Sequence, residues 1–141
     1  MSRAEAWVDG SYNPLTAEYG WGGFIKFDDG RKELYFSGHE FHDIYSQMRN
    51  VAGEVQGAIA CIKLAKKHKV TDLLIHYDYM GIEMWANNMW IANKSLTRDY
   101  QKFIAKMRSS GMNIEFDKVR GHSGESGNEL ADSMARDAVG L

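Results

Sequence analysis

The segment GWGGFIKFDDGRKELYFSGHEF, residues 20–41, contains two runs of aromatic and β-branched residues separated by the tripeptide DDG at 28–30. An Asp-Gly turn between two such runs is typical of a β-hairpin. We therefore predict antiparallel strands over Gly20–Asp28 and Lys32–Phe41. A similar run, Glu5–Ser11, precedes them. It is predicted to add a third antiparallel strand to the hairpin.

After residue 41 the chain alternates helical and strand patterns. Apolar residues fall on one helical stripe from Ala52 to His68, and the short apolar run Asp72–Tyr77 is typical of an interior strand. The later patterns predict two helices, Gly81–Asn88 and Leu96–Ser110, and then a strand, Asn113–Val119. The loop Arg120–Gly127 follows, and a last helix is predicted from Gly127 to about Val139. We therefore predict one α/β domain over residues 1–141, in which helices cover the faces of a mixed sheet.

The amino-acid composition argues against several classes of protein. The 141 residues are 44% hydrophobic and 26% charged, with one cysteine and a formal net charge of −2. These values argue against disorder, a disulfide framework and a cysteine-based zinc site. No apolar run is long enough to cross a membrane, so we expect a cytoplasmic protein without a membrane partner. The charge argues against a strongly basic nucleic-acid binder but not against a metal-dependent nuclease, whose clustered carboxylates carry part of the negative charge.

Two aspartates stand at the ends of predicted neighbouring strands. Asp9 ends the first strand, and Asp78 directly follows the fourth. Each one alone could be an ordinary turn residue. Together at one edge of a sheet they would repel each other, and a divalent cation with a preference for oxygen ligands, Mg²⁺ or Mn²⁺, would neutralise them.

Three further residues are candidates for the same site. Glu54 lies in the first turn of an otherwise apolar helix, where it could instead favour the helix dipole. Asp132 lies one turn into the last helix, and taken alone it is better interpreted as part of a solvated face. His122 lies in the glycine-rich loop, from which an imidazole can reach a reaction centre and transfer protons near neutral pH. The alternative is an ordinary exposed loop histidine.

The motifs around these residues resemble the type 1 ribonuclease H family over essentially the whole chain. They are WVDGSY at 7–12, NVAGEVQGAI at 50–59, IHYDY at 75–79 and VRGHSGESGNELADSMA at 119–135. The resemblance implies a five-stranded mixed sheet of order 3-2-1-4-5, with its first three strands antiparallel. It also implies a monomeric enzyme that cleaves the RNA strand of RNA–DNA hybrids and leaves 5′-phosphate and 3′-hydroxyl ends.

The resemblance further assigns roles to residues. Asp9 would bridge two Mg²⁺ ions, with Mn²⁺ as a possible substitute. Glu54 and Asp78 would hold the metal at the leaving group, and Asp132 the metal that activates water. His122 would assist proton transfer or product release. Glu54 and backbone groups around residues 11–13 and 51–53 would read the 2′-hydroxyl, and the implied substrate contacts are Gly10, Ser11, Asn13, Asn50 and Asn128. Asn50 could equally be an N-cap or turn residue.

The sequence also departs from the family pattern. Tyr79 follows Asp78 where many family members have serine, and the segment between Asp78 and His122 lacks the Lys/Trp-rich insert of members with a basic protrusion. We favour core packing for Trp85 and Trp90. Basic residues recur at every fourth position of the predicted helix over 96–110: Arg98, Lys102 and Lys106. This basic stripe is either a solvated face or a set of phosphate contacts.

Two other functions stay open at this point. The chain could be a non-catalytic domain that binds RNA–DNA hybrids, or a different nuclease built on the same fold. The presence of all four carboxylates argues against a pure binding domain, because such a domain does not need clustered like charges.

Overall fold

A computed structural model of the chain describes residues 2–119 and 126–141. Its elements follow the order β-β-β-α-β-α-α-β-α. The strands are β1 (Arg3–Asn13), β2 (Glu18–Phe27), β3 (Leu34–Glu40), β4 (Asp72–Tyr77) and β5 (Asn113–Lys118). The helices are α1 (Asn50–Lys67), α2 (Gly81–Ala86), α3 (Ser95–Ser109) and α4 (Ser126–Ala138), and a 3₁₀ turn over Tyr45–Met48 precedes α1.

The five strands form one mixed sheet in the order β3-β2-β1-β4-β5. β1 pairs antiparallel with β2, and β2 pairs antiparallel with β3, whereas β4 is parallel to both β1 and β5. This topology confirms the predicted sheet. β1 is the central strand and β4 is its parallel neighbour. Asp9 lies in β1 and Asp78 directly follows β4, so the two aspartates that the sequence places at one edge belong to adjacent strands.

Several predicted bounds were wrong by a few residues. β3 begins at Leu34 rather than at 32, because its pairing with β2 ends at the Ile25–Leu34 pair. The residues between the two strands turn as predicted, with Gly30 at φ +85°. α2 ends at Ala86 rather than at 88, and Asn88 has a left-handed φ of +60° that does not continue a right-handed helix.

Helices cover both faces of the sheet, as predicted, and glycines let them approach closely. A Cβ on Gly57 of α1 would lie 2.9 Å from the Cβ of Trp21 in β2. A Cβ on Gly22, the next residue of β2, would instead lie 2.6 Å from the backbone nitrogen of Ala135 in α4. Successive residues of a strand point to opposite faces. Therefore α1 and α4 pack on opposite sides of the central strands.

The main core lies between α1 and the sheet. The predicted apolar stripe of α1 is fully buried at Val55, Ala58 and Ile62, together with Cys61, which behaves as the small buried hydrophobe expected from its position. Burial raises the pKa of the Cys61 thiol. Among the helices within residues 2–119 and 126–141, none is both long enough and apolar enough to cross a membrane.

Candidate active site and metal centre

Parallel pairing of β1 and β4 brings Asp9 and Asp78 to one edge of the sheet. The last parallel pair is Trp7 with His76. Asp9 follows two residues later within β1, and Asp78 follows two residues after His76, directly beyond the end of β4. The prediction that Asp9 ends the first strand was wrong, because β1 continues to Asn13 through its pairing with β2. The pairing with β4 ends before Asp9, so this edge is open at the two carboxylates.

Glu54 comes to the same edge from α1. The prediction that Glu54 lies in the first turn of this helix was wrong, because α1 begins at Asn50 rather than at 52, which places Glu54 in the second turn. The start of α1 lies against β1 so closely that a Cβ on Gly10 would lie 2.6 Å from the carbonyl carbon of Gly53. At this distance the N–H of Gly10 donates to Oε1 of Glu54 at 3.1 Å and to Oδ1 of Asp9 at 2.9 Å. One backbone donor therefore orients both carboxylates.

The three carboxylates of Asp9, Glu54 and Asp78 form one cluster. Each offers an oxygen within 4.8 Å of the others. Asp132 approaches from α4, on the other face of the sheet, and lies within side-chain hydrogen-bonding range of Asp9. Asp9 is only 4% exposed and Glu54 only 3% exposed. Asp9 therefore contacts both the cluster with Glu54 and Asp78 and the side chain of Asp132.

This arrangement disfavours ionisation. Burial, reinforced by the charge of Asp78 and the contact with Asp132, raises the pKa of Asp9 to about 7 against the opposing hydrogen bonds from Glu54 and Gly10. Burial and the neighbouring Asp9 raise the pKa of Glu54 well above its ordinary range. Without a cation, the cluster is therefore partly protonated at neutral pH.

The donor set fits a hard divalent cation. Oε2 of Glu54 is buried and has no hydrogen-bond partner among the described residues, although a buried carboxylate oxygen normally has one. The surrounding ligands are carboxylate oxygens from three chain segments, and Mg²⁺ and Mn²⁺ prefer such ligands. A cation beside Asp9, Glu54 and Asp78 would satisfy the unpaired oxygen and relieve the repulsion.

The predicted substrate contacts on β1 have different surroundings. Gly10 and Ser11 lie at the site itself, and Ser11 is 9% exposed. The side chain of Asn13 is committed to the fold, because its Nδ2 donates to the carbonyl of Val139 at 2.8 Å and its Oδ1 accepts from the N–H of Leu15 at 3.0 Å. Two hydrogen bonds and burial thus hold the Asn13 side chain in the fold, and its contact with a substrate stays a prediction.

The two other predicted substrate contacts, Asn50 and Asn128, lie in helices. Asn50 is exposed and is the first residue of α1, so its alternative assignment as an N-cap was wrong: Arg49 occupies the N-cap with a left-handed φ of +54°. Asn128 in α4 is 4% exposed. His122 lies outside the described residues, and its role stays a prediction.

Aromatic residues border the cluster on the side of α2. Tyr79 packs tilted against Trp85 with ring centroids 5.9 Å apart, and burial together with the charge of Glu54 raises the pKa of Tyr79. Trp85 is buried, as predicted. Trp90 contacts the edge of Trp85 at 5.6 Å but remains 38% exposed, so core packing explains it only in part. The eight residues 87–94 join α2 to α3 without a helix.

The sequence did not reveal a set of side-chain contacts next to the carboxylates, formed by Trp7, His76 and Asp117. Trp7 stacks on His76 with ring centroids 4.5 Å apart, and Nδ1 of His76 lies 2.8 Å from Oδ2 of Asp117 in β5. Trp7 and His76 precede Asp9 and Asp78 by two residues and therefore share their face of the sheet. This period-two spacing was the signal that could have identified the pair.

Proteins of similar sequence are consistently ribonucleases H. A sequence model of the family described as RNase H matches residues 2–140. A Ribonuclease H of Bradyrhizobium diazoefficiens is 30% identical over 143 residues, which cover 94% of this chain and 87% of that protein. A Ribonuclease H of Rickettsia akari is 28% identical over 145 residues, covering 95% of this chain and 89% of that protein.

Solved structures share the fold. RNase H1 from the halophilic archaeon Halobacterium salinarum has a TM-score of 0.79 and 18% identity, with 97% of each chain covered. LC11-RNase H1, solved in complex with an RNA/DNA hybrid, has a TM-score of 0.74 and 13% identity, with 96% of this chain and 99% of that chain covered. The architecture is thus retained at identities where sequence similarity is weak.

Proposed function

This chain belongs to the ribonuclease H family, and we propose that it is a metal-dependent endoribonuclease that hydrolyses the RNA strand of RNA–DNA hybrids. The cluster of Asp9, Glu54 and Asp78, in which the first two are buried and Oε2 of Glu54 is unpaired, carries this proposal. Two buried carboxylates beside a third, half-buried one weaken a fold unless protons or a cation neutralise them. A domain that only bound hybrids would have no use for such a cluster.

The residues divide into two candidate cation positions around Asp9. Asp9, Glu54 and Asp78 would hold one Mg²⁺, and Asp9 with Asp132 would hold a second, with Mn²⁺ as a possible substitute. When bound, the cations would stabilise the negative charge that develops on the phosphate. Asp9 must be ionised to serve both positions. Its pKa of about 7 therefore makes cation binding compete with protons.

The remaining groups would select and process the RNA strand. Glu54 and the backbone around residues 11–13 and 51–53 would read the 2′-hydroxyl, the group that distinguishes RNA from DNA. The close contact of α1 with β1 fixes these groups relative to the carboxylates. His122 would move a proton at its imidazole. Cleavage of the bond between phosphorus and the 3′-oxygen leaves a 5′-phosphate and a 3′-hydroxyl.

We also propose that the enzyme acts as a monomer. The described residues of one chain supply all four carboxylates, from β1, α1, the end of β4 and α4. A second copy is therefore not needed to complete the cluster.

A gel assay tests the proposed function. Labelled RNA–DNA hybrid, RNA duplex and DNA duplex are incubated with Mg²⁺, with Mn²⁺ or with EDTA, and Asp9→Asn serves as the inactive control. We expect cleavage of the RNA strand of the hybrid alone, with either cation and not with EDTA. Product RNA should be extended by a polymerase that requires a 3′-hydroxyl. Cleavage of the DNA duplex would indicate a different nuclease, and tight hybrid binding without cleavage would indicate a binding domain.

A further inference from the structure

A groove at the end of α1 remote from the carboxylates concentrates positive charge. It lies between α1 and α3, has a volume of about 570 Å³, and is lined by five lysines and an aromatic floor residue: Lys63, Lys66, Lys67, Lys69, Lys106 and Phe103. All five lysines are exposed, and no aspartate or glutamate is among the described residues that line the groove. This is an unusual concentration for a chain whose formal net charge is −2.

The lysines of the groove are available to a ligand. Within the described ranges, none of the five forms an ion pair with a carboxylate. The ammonium of Lys63 lies 5.9 Å from the centre of the Phe103 ring, and Nζ of Lys66 donates to Oγ of Ser110 at 3.1 Å. These contacts orient two lysines along the groove without neutralising them. The groove therefore presents uncompensated positive charge that favours a polyanion.

We propose that this groove binds single-stranded nucleic acid at a second site, separate from the carboxylate cluster. Proteins that bind single strands combine a positive groove for the phosphates with aromatic side chains for the bases. Lysines of both helices supply the positive charge, and Phe103 of α3 supplies the aromatic side chain. Bases in a duplex are already stacked on their neighbours, so an aromatic ring such as Phe103 favours the unpaired bases of a single strand.

The site lies well away from the carboxylates. Lys63 to Lys67 follow Glu54 by nine to thirteen residues on the same helix, which corresponds to about 14–20 Å along its axis. A single strand that continues from one end of a bound hybrid would have to cover this distance. The groove therefore acts on substrates with single-stranded extensions and leaves the chemistry at Asp9 unchanged.

An acidic peptide is the competing occupant, because Phe103 and Met107 give the groove apolar surface. The observations favour nucleic acid, since five lysines in one groove call for a ligand with one negative charge on every unit. A ligand recognised through phosphates and base stacking need not be DNA or RNA in particular. Oligothymidylate and oligouridylate should therefore bind alike.

Matched charge variants provide the test. The groove variant is Lys63→Gln/Lys66→Gln/Lys67→Gln, and the control is Lys26→Gln/Lys32→Gln/Lys118→Gln, which removes three exposed lysines elsewhere. Fluorescence anisotropy with labelled oligothymidylate and oligouridylate of about fifteen nucleotides measures affinity over a range of salt, in EDTA. The groove variant should bind at least about tenfold more weakly and lose about two units of log–log salt slope, while the control variant stays near the parent.

Several outcomes would overturn the second site. They are unchanged oligonucleotide binding in the groove variant, equal losses in both variants, or an acidic peptide that binds the groove more tightly than the oligonucleotides. Thermal unfolding of both variants checks that they are folded. Cleavage of a short blunt hybrid should be the same in the groove variant and the parent. If the parent fails to cleave that hybrid, the proposed function is wrong. The comparison of oligonucleotide binding between the variants still shows whether the groove binds single strands.

Discussion

Replacing Asp9 by asparagine should stabilise the metal-free protein while it abolishes activity. The pKa of Asp9 is raised from 3.8 to about 7, so the folded state favours the protonated form. The stabilisation from that proton is complete at low pH and is lost as the pH rises through about 7. The full difference corresponds to about 4 kcal/mol at pH 8. Asparagine carries no charge and keeps Oδ1 as an acceptor for the N–H of Gly10.

Urea and thermal unfolding in EDTA measure this effect. At pH 8 we expect Asp9→Asn to raise the free energy of unfolding by about 2–4 kcal/mol, or by about 3 °C in Tm for each kcal/mol. At pH 4 the gain should fall below about 1 kcal/mol, because Asp9 is then protonated in the folded state. Saturating Mg²⁺ should stabilise the parent but not the variant.

The control for this effect is a carboxylate on the protein surface. Asp43→Asn removes an exposed carboxylate and should leave stability nearly unchanged at either pH. Hybrid cleavage by Asp9→Asn should fall by several orders of magnitude. A variant that is less stable than the parent at pH 8 in EDTA, or equally changed at pH 4 and pH 8, would refute the argument from buried like charges. Cleavage near the parent's rate would refute the assignment of Asp9 as a ligand.

Further predictions concern the rest of the machinery. Cation affinity, measured by calorimetry, should rise about tenfold per pH unit below about 7, because binding displaces a proton from Asp9; an affinity independent of pH would contradict this. His122→Ala should lower turnover about 10²-fold or less without changing cation affinity, whereas lost cation binding would make His122 a ligand. Gly53→Ala would place a Cβ against the carbonyl of Gly20. The free energy of unfolding in urea should therefore fall by about 1–3 kcal/mol, and the rate of hybrid cleavage should fall because Glu54 is displaced. The affinity for the hybrid should depend weakly on salt, with a log–log slope of about two to four. Changing the basic stripe, Arg98, Lys102 and Lys106, to glutamine should flatten this slope and raise KM with little effect on kcat. An unchanged slope would make the stripe a solvated face.

Local sequence patterns were sufficient for the element order and the mixed sheet, whereas the strand order 3-2-1-4-5 was implied by the family resemblance. The turn at residues 28–30, the change from strand to helix period after residue 41, and the glycine stop at Gly111 with φ +100° depend on neighbouring residues in the chain. The element order and sheet class therefore followed from the sequence. Element bounds were less certain, because a strand ends where its partner stops pairing. β1 thus runs beyond the predicted Ser11 to Asn13 along β2.

The sequence by itself determined which residues could form the site, because Asp9, Glu54, Asp78 and Asp132 occur in motifs of the family. Only the tertiary structure decided their electrostatic state. Burial depends on α1 approaching β1 at Gly10, and this approach leaves Glu54 3% exposed and raises the pKa of Asp9 to about 7. The lysine groove likewise joins Lys63 of α1 to Lys106 of α3, which are far apart in the chain. Charge density and desolvation are sums over neighbours in space, so they appear only once distant segments have packed together.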